Sequence, residues 1–138
     1  MNLAQQLVRL SDVNGGFFVR GRDETVPEFE DRILGRERRN DDDADGDSKV
    51  LKYFDAMEAG AVMPPIFVLE RDGELAVMDG WHRSAAAGLR GLAAIRAIVV
   101  RAGSVARENA VSQVLYELSE AGASWQEQAR AVERLLAA

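Results

Sequence analysis

The chain has 138 residues, of which 47% are hydrophobic, and a net charge of -6. This length suits one domain with one core, and the acidic balance argues against a general DNA-binding protein, because phosphate contacts need clustered Lys and Arg. The absence of cysteine excludes disulfides and thiol chemistry, and no apolar run approaches the roughly 20 residues that span a bilayer. The first residues lack the basic-then-apolar order of a signal peptide, so a cytoplasmic location is predicted.

The N-terminal part of the chain shows little periodicity. Leu3, Leu7 and Leu10 have a helix-like spacing, and residues 17–19 predict a short strand after an Asn-Gly-Gly turn. Residues 20–47 are polar and predict a long loop. This loop contains a basic run and then an acidic run, both typical of a solvated segment (Arg36, Arg38, Arg39; Asp41, Asp42, Asp43, Asp45, Asp47).

Regular structure is predicted from Ser48 onward. Apolar residues at helical spacing predict a helix that ends at Gly60 (Val50, Leu51, Phe54, Met57). Pro64-Pro65 enforces extended backbone before a buried strand over residues 66–69. Asp72-Gly73 is a strong signal for a two-residue hairpin turn, and the returning strand is predicted over residues 74–79.

The rest of the chain predicts one more strand and three helices. A short Ala-rich helix over residues 82–90 follows a glycine bend, and a strand over residues 95–100 carries Arg96 on its exposed side. A helix over residues 105–120 is followed by Gly122, and Ser124 with Glu127 forms a capping box that starts the last helix. These elements predict an α/β (α+β) fold, in which a small mixed sheet with helices is followed by a C-terminal helical pair.

The segment Asp79-Gly80-Trp81-His82-Arg83 lies where a strand turns into a helix and contains the only histidine of the chain. Free amides and the helix dipole make the start of a helix attractive to anions, and an arginine beside an imidazole predicts a phosphate site. Each of these side chains also has a structural interpretation, in which Arg83 is a surface residue and His82 donates to a neighbouring carbonyl. Asp79 can act in chemistry or cap the helix, and Trp81 can stack on a base or join the core.

The stretch from residue 48 to residue 100 resembles the N-terminal domain of the ParB/sulfiredoxin superfamily. The resemblance depends on the helix ending at Gly60, Pro-Pro-Ile at 64–66, the Asp-Gly hairpin, and Asp79-Gly80-x-His82-Arg83 before an Ala-rich helix. Glu108-Asn109 stands where partition proteins of this superfamily have a Glu-Asn motif. The implied organisation is an N-terminal extension at 1–47, a ParB/sulfiredoxin-like core at 48–103 and a helical pair at 104–138.

This resemblance implies binding of a nucleoside triphosphate, ATP or CTP, with Mg²⁺. It assigns nucleotide binding to a set of residues around the glycine bend and the Glu-Asn motif (Pro65, Gly80, His82, Arg83, Ser84, Glu108, Asn109). Glu108 and Asn109 are the implied metal ligands. Asp79, His82 and Arg83 are the candidate catalytic residues for hydrolysis or for phosphoryl transfer to a small-molecule acceptor. Sulfiredoxins have their catalytic cysteine where this chain has Trp81, so sulfinic acid reduction is excluded.

Two other classes of function stay open from the sequence. One is a nuclease or a partition-like factor that binds DNA, which the acidic charge disfavours and a local arginine cluster would favour (Arg36, Arg38, Arg39, Arg83, Arg90, Arg96). The other is a catalytically silent interaction module, in which the last, amphipathic helix pairs with a second copy as a homodimer.

Overall fold

The computed structural model describes residues 3–14, 28, 34 and 46–138. The elements within these residues, in chain order, are β1 (Gln5–Arg9), a 3-10 turn (Leu10–Asp12), β2 (Val13–Asn14), α1 (Gly46–Glu58), β3 (Ile66–Arg71), β4 (Glu74–Asp79), α2 (Trp81–Leu89), β5 (Ala94–Val100), α3 (Val105–Glu120) and α4 (Trp125–Ala137). The described strands form one mixed sheet covered by helices, so the predicted α+β class is confirmed.

The sheet has the strand order β1-β5-β3-β4-β2. The central strand β3 runs parallel to β5 and antiparallel to β4, and β1 adds to β5 in the antiparallel sense. β3 and β4 are joined by the predicted two-residue hairpin, where Asp72 and Gly73 both have positive φ, as a turn with the right twist for a hairpin requires.

The connection between β1 and β2 shows that the sheet is curled. The two strands lie at opposite edges, four strand spacings apart, which is about 19 Å in a flat sheet. The chain from Arg9 to Val13 can span at most about 14 Å. The edges must therefore approach each other, and Val8 and Val13 are indeed buried in one and the same apolar cluster.

Both faces of the sheet are buried, which explains why β3 and β5 are almost continuously apolar. Ile66, Val68, Ala97 and Val99 face α2, and the alternate residues of the same strands face α3 and α4. The second face forms a cluster with the apolar sides of the two C-terminal helices (Phe67, Ile98, Val100, Val111, Leu115, Ala129, Val132, Leu136). The described elements are therefore stacked as helices, sheet and helices.

α1 packs on α2 rather than on the sheet. Val50 and Leu51 of α1 are buried against Ala85 and Ala86 of α2, where small side chains allow a close approach. The opposite side of α1 carries Lys49 and Lys52, which are exposed. This packing places the lysines beside the start of α2.

The C-terminal helices begin as the sequence predicts. Ser124 Oγ accepts a hydrogen bond from Glu127 N at 3.2 Å, which confirms Ser124 as the N-cap of α4, and Gly122 has positive φ. The apolar face of α4 packs against the sheet and α3, and Arg107 of α3 donates to the carbonyls of Leu136 and Ala138. The face on which the predicted homodimer depended is thus occupied within the chain.

One expectation about the N-terminal part is wrong, and a second is corrected at the residues that the structure describes. The leucine spacing predicted a helix, but Gln5–Arg9 is a strand, because pairing with β5 and burial of Val8 outweigh a weak local pattern. The loop predicted for residues 20–47 includes Glu28 and Leu34, which have helical backbone, and α1 begins at Gly46 rather than Ser48.

Several predicted features lie outside the described residues. They are the strand at 17–19, the basic run Arg36, Arg38 and Arg39, and the acidic run Asp41, Asp42, Asp43 and Asp45. Within the described ranges, no helix combines the length and the apolar character that crossing a membrane would need.

Candidate functional site

The bend between β4 and α2 depends on a glycine with an unusual backbone. Gly80 has φ +102°, and a Cβ at this position would lie 2.4 Å from Ile66 Cγ2 and 3.0 Å from Arg83 Nη2. Only glycine allows such a close approach between the bend, the buried strand β3 and the arginine. The first intrahelical hydrogen bond of α2 runs from Ser84 N to Gly80 O, so the positive end of the helix dipole lies at the bend.

A cavity of about 200 Å³ opens at this bend. It is lined by residues of α1, of the β4–α2 junction and of the end of α3 (Lys49, Lys52, Tyr53, Asp79, Gly80, His82, Arg83, Ser119). The chain contains two lysines and one histidine, and all three line this cavity. Three permanent cations here face a single carboxylate, although the whole chain is acidic.

Contacts within the protein fix one end of the Arg83 guanidinium. Its Nη2 donates to the Pro65 carbonyl at 3.1 Å and lies 3.9 Å from Asp79 Oδ2. Its Nε is buried and has no hydrogen-bond partner among the described residues. Through the contact with Pro65, Arg83 links the glycine bend to the Pro-Pro-Ile segment that leads into β3.

The charges around His82 act on its protonation. Partial burial is the largest effect and lowers the pKa of His82, and the positive charges of Lys49 and Arg83 lower it further. Asp79 acts in the opposite direction. The imidazole is therefore mainly neutral at pH 7, and a bound anion would raise its pKa.

We expect an NMR titration of the free protein to give a His82 midpoint below the ordinary value of about 6.5. A neutral imidazole is favoured on folding, so the stability that depends on His82 is complete above that value and is lost as the pH falls toward the pKa in the folded state. Thermal unfolding of the wild type should consequently lose more stability in this window than His82→Gln. A midpoint above that of an unfolded peptide would contradict the geometry.

The structure separates Glu108 from the glycine bend. Both Glu108 carboxylate oxygens accept hydrogen bonds from Arg71 of β3, and the Arg71 Nε contact is 2.9 Å. These bonds lower the pKa of Glu108, which lines a different cavity, with Arg101 and Ser104. Since α3 rises about 1.5 Å per residue, Glu108 lies about 16 Å along the helix from Ser119, which lines the cationic cavity.

The other predicted site residues have distinct surroundings. Asn109 is exposed just after the first turn of α3. Ser84 is buried, and its Oγ has no hydrogen-bond partner among the described residues. Asp79 contacts Arg83 and Gln128, and Gly80 rather than Asp79 is the N-cap of α2. Trp81 packs partly against the core, as the second interpretation of this residue predicted.

The described arginines of the predicted DNA-binding cluster have different surroundings. Arg83 lines the cationic cavity, and Arg90 lies over the Phe54 ring at 5.3 Å and 3.8 Å from Glu58. Arg96 lines an apolar cavity near β1. The described part of the chain therefore gives no support to a continuous basic surface.

Sequence reasoning missed five residues at or near the cavity (Lys49, Lys52, Tyr53, Ser119, Gln128). A signal for the lysines was present, because both lie on the side of α1 opposite its apolar stripe and they are the only lysines of the chain. No comparable signal marks Ser119 or Gln128, whose positions depend on how α3 and α4 pack.

No protein-family model and no curated protein matches the chain. Among solved structures, it is similar to a sulfiredoxin from Arabidopsis thaliana, with 24% identity, coverage of 71% of this chain and 85% of that chain, and a TM-score of 0.45. It is also similar to the C-terminally truncated chromosome-partitioning protein ParB from Caulobacter crescentus complexed with CTP-γ-S, with 19% identity, coverage of 83% and 62%, and a TM-score of 0.42. These are the two groups that the sequence motifs resemble. The likeness concerns the fold alone.

Proposed function

We propose that the cavity at the β4–α2 bend binds the phosphate groups of a nucleoside triphosphate. One observation carries this proposal: both lysines and the only histidine of an acidic chain line one cavity, together with Arg83 and the start of α2. A concave site with an excess of cations concentrates anions even when the protein is acidic overall.

Each group has a distinct part in this proposal. Lys49 and Lys52 are exposed and can follow a phosphate chain, whereas Arg83 is anchored on Pro65 and offers a fixed positive charge. The backbone at Gly80 lets a phosphate approach the helix start closely. Tyr53, half-buried in the cavity wall, supplies an aromatic ring for stacking on a base in this proposal. The resemblance of the Asp-Gly-x-His-Arg segment to partition proteins supports a nucleotide as the class of ligand.

The predicted Mg²⁺ ligands do not fit this proposal. Glu108 has both oxygens bound by Arg71, and no group of three or more acidic or histidine side chains in the described residues could hold a metal ion. Mg²⁺ needs oxygen ligands in near-octahedral geometry, which a carboxylate occupied by a guanidinium does not offer. Glu108 and Asn109 therefore have no part as metal ligands in the proposed function.

The proposal extends to turnover of the bound nucleotide. The neutral imidazole of His82 can accept a proton from an attacking water or acceptor hydroxyl, while the bond from the γ-phosphorus to its bridging oxygen breaks. The cations neutralise the charge that develops on the phosphate oxygens, which is the main contribution of protein groups in this kind of reaction. Asp79 and Arg83 act on the pKa of the His82 imidazole in opposite directions, and so set how readily it accepts that proton.

Calorimetry with ATP, CTP, inorganic triphosphate and the parent nucleosides tests binding, with and without Mg²⁺. We expect the triphosphates to bind, the affinity to fall with added salt, and the nucleosides not to bind detectably. A preference for ATP or CTP over inorganic triphosphate would assign a role to Tyr53. Phosphate release from the bound nucleotide then tests turnover. If no triphosphate binds, or if nucleosides bind equally well, the cavity does not recognise phosphate.

A further inference from the structure

α4 contributes a buried amide that points toward the candidate site. Gln128 is 4% exposed, although its helix neighbours on the same face are apolar. Its Nε2 donates to the Leu115 carbonyl at 3.1 Å and to Asp79 Oδ2 at 3.4 Å. Both donors of the amide nitrogen are thus directed at acceptors on other elements, one in α3 and one at the end of β4.

Asp79 is the single carboxylate among the residues that line the cationic cavity. Its Oδ2, the oxygen that contacts Gln128, also lies 3.9 Å from Arg83 Nη2. The carboxylate is therefore held from two sides, by a guanidinium of α2 and by an amide of α4. Burial of an amide in an apolar cluster is costly unless its hydrogen bonds are made, so the position of Gln128 is well defined.

We propose that Gln128 is a positioning residue, which fixes the Asp79 carboxylate beside Arg83 and His82 from the opposite layer of the fold. The effect of Gln128 on ligand binding rests on the proposed function, whereas the effect of Gln128 on the Asp79 carboxylate does not. Gln128 touches the carboxylate and has no place in the cavity wall, so it acts on the site through Asp79 alone.

His82 reports on this action because it is the only histidine, and its NMR signal needs no assignment among others. The groups that line the cavity with it are two lysines and a tyrosine of α1, Arg83 of α2, Asp79 of β4 and Ser119 of α3. Asp79 is the only anion among them. The negative charge of Asp79 raises the pKa of the His82 imidazole. If the carboxylate loses its contact with Gln128 and moves away from His82, it raises that pKa less.

The test is a double-mutant cycle of Gln128→Met and Asp79→Asn, with the His82 titration of the ligand-free protein as the readout. Methionine keeps the length of the side chain and removes the donors. We expect Gln128→Met to lower the His82 midpoint by a few tenths of a pH unit, and to leave it unchanged when Asp79→Asn is already present. Gln126→Met, at an exposed position of the same helix, is the control and should not move the midpoint.

An unchanged midpoint in Gln128→Met, or an equal shift with and without Asp79→Asn, would overturn the proposal. Gln128→Asn keeps an amide but shortens its reach, and it provides the same comparison if the methionine variant does not fold. Nucleotide affinity is measured separately on the same variants. A coupled shift in His82 without any nucleotide binding would leave the positioning role intact and refute the proposed function.

Discussion

Replacement of Gly80 by alanine is expected to lower the melting temperature by about 10 °C, since about 3 kcal/mol is lost in a domain of this size. Two separate costs add up. A non-glycine residue with φ near +100° loses about 1–2 kcal/mol. The added Cβ would also lie 2.4 Å from Ile66 Cγ2 and 2.8 Å from Ile66 Cβ, and overpacking of this kind typically costs about 1–3 kcal/mol. Ile66 is fully buried in the central strand and has no room to withdraw.

Gly91→Ala is the matched control for this prediction. Gly91 lies just after the other end of α2, has φ +75°, and would have nothing within 4 Å of an added Cβ. Its loss of stability should contain the backbone cost alone. Differential scanning calorimetry of both variants therefore isolates the steric cost at Gly80. Equal melting temperatures for the two variants would show that the bend is not tightly packed against β3.

The Gly80 variant also connects stability with the candidate site. Arg83 Nη2 would lie 3.0 Å from the added Cβ, so a folded Gly80→Ala protein must move either the guanidinium or β3. We expect its affinity for triphosphate to fall at a temperature where the protein is still folded, while Gly91→Ala keeps the affinity of the wild type.

Local signals in the sequence predicted most of the elements. The hairpin at Asp72-Gly73, the N-cap at Ser124 and the glycine bend at Gly80 each depend on the chemistry of two to five neighbouring residues, and all three are present in the structure. β1 was not predictable in this way. Its conformation is fixed by pairing with β5, which is about 90 residues away in the chain, and not by the spacing of its leucines.

At the candidate site, too, the sequence predicted what neighbouring residues determine and not what long-range packing determines. Asp79, Gly80, His82 and Arg83 are adjacent in sequence, so the prediction that they lie together required only the strand–helix junction. The lysines come from α1, and their proximity depends on the packing of Val50 and Leu51 against α2. The resemblance to partition proteins assigned Glu108 to the same site, but Glu108 lies at the opposite end of α3 from Ser119, which lines the cavity, and it binds Arg71.

The largest effect on ligand binding is expected from reversing the charge of both lysines. Lys49→Glu with Lys52→Glu removes two attractions to phosphate and adds two repulsions. A charge-assisted hydrogen bond contributes about 1.5–3 kcal/mol, and each 1.4 kcal/mol is a tenfold change in affinity, so we expect a loss of about 100-fold or more. Glutamate and lysine have similar helix propensity, and acidic residues near the start of α1 suit the helix dipole, so the fold should persist.

The control for this variant must have the same net charge, because a more acidic protein repels nucleotides from any surface. Arg96→Glu with Arg130→Glu gives that charge, and both arginines are exposed and outside the cavity wall. Calorimetry with inorganic triphosphate should give an affinity within a few-fold of the wild type for this control and no measurable binding for the lysine variant. An equal loss in both variants would mean that the net charge of the chain governs binding. Retained binding in the lysine variant would show that α1 does not contribute to phosphate binding. Arg83 and the start of α2 would then be the remaining contacts for phosphate.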